Sequence, residues 1–135
     1  MNDAQALANA AHALVGTPFQ LRGTDPATGL DCIGLVRAAL VAIGRSPPAL
    51  PHYAMRNLDL SRFAAVIPAA GFAKAEGALQ PGDLLLLRPS AAQYHLAIVG
   101  HSPCLIHAHG GLGRVVASPA PLPWPTLARW RLHDF

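Results

Sequence analysis

The pattern of apolar and polar positions divides the chain into a helical first half and a stranded second half. Residues 3–15 are rich in alanine and place Leu7, Ala11 and Leu14 on one stripe. With Asn2 or Asp3 as cap, this predicts a helix that stops at Gly16-Thr17-Pro18. Residues 19–31 carry two turn signals, Gly23-Thr24-Asp25-Pro26 and Ala27-Thr28-Gly29, and read as a structured loop. Ile33, Val36, Leu40 and Ile43 then recur at helical spacing, with Asp31 before them as N-cap and Gly44 and Pro47-Pro48 after them. The spacing predicts a helix over 32–43. Residues 45–60, with Pro47, Pro48 and Pro51, read as irregular, and residues 60 to about 70 as a short helix limited by Pro68.

After the turn Pro81-Gly82-Asp83 the periodicity changes. Leu84-Leu85-Leu86-Leu87 is too short for a helix and apolar on both faces, which fits a strand covered on both sides. Further strands are expected over 94–99, 104–108, 114–118 and 128–132, the last after a connection containing Pro119, Pro121, Pro123 and Pro125. Short links between successive strands predict an antiparallel meander. Helices before strands make the fold class α+β, and residues 1–135, without repeats or a linker, read as one domain.

Composition narrows the functional classes. A hydrophobic share of 52% against 13% charged residues predicts a packed core, not a disordered chain. The net charge of +3 comes from scattered basic residues with no basic stripe, so nucleic acid is not an expected partner. No apolar run reaches the ~20 residues of a spanning helix, and residues 63–73 are broken by Pro68; no membrane span is expected. The first Lys or Arg is Arg22, so the N-terminus lacks the positive region of a signal peptide; the expectation is synthesis in the cytoplasm without one. The two cysteines do not make a disulfide framework.

The stretch Gly29-Leu30-Asp31-Cys32-Ile33-Gly34-Leu35-Val36 places a thiol in the first turn of a helix. Unpaired N–H groups and the helix dipole there favour a thiolate, which would make Cys32 a nucleophile near neutral pH. A buried, inert cysteine at a helix start is the equal alternative on this stretch alone, and the histidines decide between them. Of the seven, His95 and His107 fall in consecutive strands and meet if the hairpin pairs them. One ring could then act as base while the other holds it by its second nitrogen, a nucleophile–base–orienter arrangement. His12, His52, His101, His109 and His133 read as solvated. A zinc site is the competing chemistry, since Cys104, His107 and His109 are close in sequence. Cys104 and His107 would point to opposite faces of a strand, however, and no CxxC pair exists. Cys104 therefore reads as a core thiol, and neither metal nor cofactor is expected.

Three blocks resemble the NlpC/P60 cysteine peptidases. They are Gly16-Thr17-Pro18-Phe19 through Cys32 to Val36; Pro81-Gly82-Asp83-Leu84 with His95-Leu96-Ala97-Ile98-Val99-Gly100; and Leu105-Ile106-His107-Ala108. The likeness spans roughly residues 10–118. It implies a papain-like fold and a Cys32–His95–His107 triad: Cys32 attacks an amide carbonyl, His95 is base and then acid, His107 orients His95, and the Cys32 N–H helps hold the oxyanion. It further implies peptidoglycan stem peptide as substrate, cut at a D-γ-glutamyl–diaminopimelate-type amide. The compact length, without signal peptide or wall-binding repeats, resembles the phage-tail branch, with virion association and tail-tip proteins as partners. Ile33 stands where the family often has serine. Phe19 stands where it has a tyrosine whose hydroxyl would face the oxyanion. Alternation along the extended loop places Phe19 and Leu21 inward and Gln20 outward.

Overall fold

The computed structural model describes residues 1–48, 60–91, 93–102 and 104–134. Most of the stretch expected to be irregular, His52 included, lies outside the described residues. The first helix, α1 (Asp3–Ala13), opens with a reciprocal cap. Asn2 Oδ1 accepts the Gln5 amide at 2.8 Å, and Gln5 Oε1 accepts the Asn2 amide at 3.0 Å. A small antiparallel ribbon follows, β1 (Thr24–Asp25) with β2 (Gly29–Leu30), inside the loop that leads to α2 (Cys32–Ala42). Helix α3 (Leu60–Ala69) contains Pro68 in its last turn.

The remaining strands are β3 (Phe72–Lys74), β4 (Leu84–Ser90), β5 (Gln93–Val99), β6 (Cys104–His109), β7 (Arg114–Pro119) and β8 (Thr126–Leu132). They form one antiparallel sheet in the order β3-β8-β4-β5-β6-β7. The α+β class is as expected, but the meander holds only from β4 to β7. Strand β8 does not extend the sheet beyond β7; it returns to the far side of β4. The cause is the connection before it. Ala120, Leu122 and Trp124 lie across one face of the sheet and cover Leu85, Leu87, Ala97, Val99 and Leu105. Strand β3, which pairs with β8, was not anticipated; three residues are too few to show a period.

The other face of the sheet meets the helices. Leu84, Leu86, Leu96, Ile98 and Ile106 pack with Leu7 of α1 and Leu35 and Leu40 of α2. The four leucines 84–87 are thus buried alternately in two cores, and β4 is hydrogen-bonded on both edges. No helix among the described residues is long and apolar enough to cross a membrane.

The turn before β4 carries a buried charge. Asp83 is wholly buried and accepts Arg131 Nε at 2.8 Å, Arg131 Nη2 at 3.0 Å and the Gln80 amide at 3.0 Å. Gly82, at φ +92°, presses against the Ala4 carbonyl of α1, where a Cβ would overlap backbone. Arg131→Met would leave the Asp83 carboxylate buried without its counter-charge. The expected loss is about 3 kcal/mol of stability, measured by urea unfolding; an unchanged midpoint would show that the pair contributes nothing net.

Candidate active site

Cys32 is the first residue of α2, and the local sequence explains its placement. Asp31 caps the helix: its Oδ1 accepts the Gly34 amide at 2.7 Å and its Oδ2 the Arg22 amide at 3.0 Å. The Asp31 amide donates to the Gly23 carbonyl at 3.2 Å, so the loop over residues 20–23 lies against the first turn. Gly34 permits this approach, because a Cβ there would overlap the Gly23 carbonyl oxygen. Of the first-turn N–H groups, that of Gly34 is taken by Asp31, while those of Cys32 and Ile33 turn toward the Cys32 sulfur.

Helix α2 packs on β5, and the sulfur accepts a hydrogen bond from the Leu96 amide. Leu96 directly follows His95. Among the described residues no hydrogen bond joins the Cys32 sulfur to the His95 ring itself. His95 and His107 do meet: His95 Nε2 is 2.9 Å from His107 Nδ1, with the rings edge to face. The register explains it. Val99 pairs with Leu105, so residues 95, 97 and 99 of β5 and 105, 107 and 109 of β6 share one face. With Nε2 engaged, Nδ1 is the only nitrogen of His95 left to exchange a proton with a nucleophile.

Charge states differ from the sequence expectation. Burial pushes the Cys32 thiol up to about 12; the Leu96 amide opposes this, and the Asp31 charge adds to it. The helix start therefore does not yield a resting thiolate, because the cost of burying the charge exceeds what the amides return. Burial also lowers His95 to about 4, helped by the neighbouring His107 and His109, and lowers His107 to about 4, helped by His109. Near pH 7 the three groups rest as a neutral thiol and two neutral rings. A neutral thiol becomes a nucleophile only if a base takes its proton as it attacks, and a neutral imidazole is able to do so.

Two nearby residues were not anticipated. Trp124, on the long connection before β8, sets its ring edge-on to His95 and His107, at 5.6 and 6.2 Å between centroids. No local pattern around Trp124 announces this. His109 is not simply solvated: its Nδ1 accepts the Leu112 amide at 3.0 Å, and its ring lies 5.7 Å from that of His107. The i, i+2 spacing of His107 and His109 was the available signal. A cleft of about 210 Å³ beside His95 is lined by Pro89, Gln93, His109, Gly110, Gly111 and Trp124.

The loop register is half as expected. Phe19 is partly buried against the helix-side core, and its ring faces Gly110, while Gln20 is exposed. Leu21, expected inward, is 63% exposed, because the chain turns at residues 21–22 with Arg22 at φ +61° and alternation stops there. The remaining candidates lie apart from these. His12 and His101 stack on each other at 5.4 Å, and the Cys104 thiol donates to the His101 carbonyl at 3.4 Å. Cys104 packs with the helix-side core, on the sheet face opposite His107. Among the described residues no three His, Cys, Asp or Glu side chains are grouped to hold a metal ion.

The family model for NlpC/P60 matches residues 16–124. The chain belongs to the NlpC/P60 family. Solved NlpC/P60 structures share the fold. NlpC1 from Trichomonas vaginalis superposes with a TM-score of 0.74 at 21% identity, over 99% of this chain and 45% of that one. The P60 domain of an antigen from M. avium subspecies paratuberculosis gives 0.62 at 24%, over 98% and 96%. The peptidoglycan hydrolase RipB from Mycobacterium tuberculosis gives 0.64 at 23%, over 98% and 65%. The chain thus spans about half the length of the Trichomonas protein. No curated protein sequence matches this NlpC/P60 chain.

Proposed function

We propose that this NlpC/P60 chain is a cysteine peptidase acting on peptidoglycan stem peptides, with residues 1–135 as a single catalytic domain. Cys32 is the nucleophile, His95 the base and then the acid, and His107 holds His95. The observation that carries this reading is the 2.9 Å His95–His107 bond, next to the Leu96 amide that holds the Cys32 sulfur. The wall substrate is supported by family membership and by the peptidoglycan hydrolases among proteins of this fold. The bond cut is a D-γ-glutamyl–diaminopimelate-type amide. The protein acts as a phage-tail or prophage component, docked on tail-tip proteins, that opens the wall; its resemblance to the phage-tail branch supports this. Incubation with purified peptidoglycan and mass analysis of the released fragments tests the activity. Fragments that appear equally with Cys32→Ala would refute it.

A second reading is a wall-binding component that recognises peptide without efficient cleavage. Phe19 favours it, since it lacks the hydroxyl of the family tyrosine. Sedimentation with peptidoglycan and no released fragments would identify that case.

The pH profile follows from the charge states. His95 accepts a proton only when neutral, so kcat/KM should rise as pH passes about 4. It should then stay level between about pH 5 and 10, because the thiol ionises only near 12. A fall above about pH 8 would instead reveal a thiolate–imidazolium pair as the active form.

A further inference from the structure

His107 has a second partner that the proposed triad does not use. Its Nε2 lies 3.0 Å from Ser118 Oγ on β7. Leu105 pairs with Ser118 and His107 with Val116, so Ser118 is the diagonal neighbour of His107 on the same sheet face, within reach of a ring. His95, His107 and Ser118 therefore form one hydrogen-bonded row.

A neutral imidazole carries one N–H, so the row has two arrangements. In the first, His95 donates from Nε2 to His107 Nδ1, and His107 donates from Nε2 to Ser118 Oγ. His95 Nδ1 is then bare and can take the thiol proton. In the second, Ser118 donates to His107 Nε2, and His107 donates from Nδ1 to His95 Nε2. His95 Nδ1 then carries hydrogen and cannot act as a base. We propose that Ser118 is a positioning residue that holds the row in the first arrangement by accepting the His107 Nε2 proton. Ser118 is partly exposed, which leaves its own hydrogen free to bond solvent while a lone pair accepts from His107. This role rests on reading His95 as the base.

The test compares the full chain with Ser118→Ala, Ser118→Thr and Ser118→Val. The last two have nearly the same shape, favour strands and differ in the hydroxyl. Nitrogen-15 NMR of the histidine rings near pH 7 reads the tautomers without substrate, and steady-state kinetics on stem peptide read turnover. Wild type and Ser118→Thr should carry the His95 proton on Nε2. Ser118→Ala and Ser118→Val should show a mixture with Nδ1, and kcat lower by about tenfold with KM little changed. A wild type with the proton on His95 Nδ1, or Thr and Val variants alike in tautomer and kcat, would overturn the proposal. A wild type that shows the expected tautomer yet cleaves nothing supports the Ser118 role and counts only against the hydrolytic reading.

Discussion

His95→Ala should slow stem-peptide hydrolysis by about 10³-fold or more, whereas His107→Ala should cost roughly 10–10³-fold. The difference follows from what each ring does. The Cys32 thiol is held near 12, so attack near pH 7 requires a group that takes its proton during the step. In the proposed triad His95 is this group, with Nε2 bound to His107 and Nδ1 remaining. His107 is wholly buried and, in the proposed triad, acts through His95, whose Nε2 lies 2.9 Å from His107 Nδ1. Water entering the space left by His107→Ala can restore part of that bond. In the proposed mechanism nothing replaces the proton acceptor after His95→Ala. The loss should fall on kcat, with KM less affected, because neither change removes the Phe19 or Gly110 side of the site. Single-turnover rates for both variants on a defined stem peptide measure the effect. His95→Ala cleaving at the wild-type rate would exclude His95 as base.

Gly34→Ala should also be strongly damaging, through geometry and not chemistry. The new Cβ would overlap the Gly23 carbonyl oxygen, and both groups belong to backbone held on two sides. Gly34 donates to Asp31, while Gly23 accepts from the Asp31 amide and donates to the Gln20 carbonyl. Relief requires the loop over 20–23 to leave the first turn of α2, or the turn to unwind. Either change disturbs the Asp31 cap and the orientation of the Cys32 and Ile33 amides around the sulfur. Overpacking of this kind costs about 1–3 kcal/mol, and more where backbone meets backbone. The expected result is a lower melting temperature and activity reduced by at least about 10²-fold. Gly44→Ala serves as the comparison: its φ of +86° is strained for alanine, whereas Gly34 is helical, but a Cβ at Gly44 meets no atom within 4 Å. If Gly34→Ala were no worse than Gly44→Ala, the loop would not be held against the helix as described.

The sequence by itself determined the parts of this protein that depend on near neighbours. Asp31 before a helical period specifies where α2 begins, and with it the position of Cys32, because a cap and the turn it closes lie within three residues. The strand patterns over 94–99 and 104–108 put His95 and His107 on consecutive strands, where they share a face once the hairpin pairs Val99 with Leu105. Tertiary structure decided what depends on distant segments. Strand β8 lies beside β4 because the connection over 119–125 has an apolar sheet face to cover, and a strand's period does not name its partner. Trp124 reaches the histidines by the same crossing, and Ser118 reaches His107 through the β6–β7 register. The charge of Cys32 was decided there too. A helix start favours the thiolate, but burial among α2, β5 and the loop disfavours it more strongly, and desolvation is a property of everything packed around the sulfur, not of the residues adjacent to it in the chain.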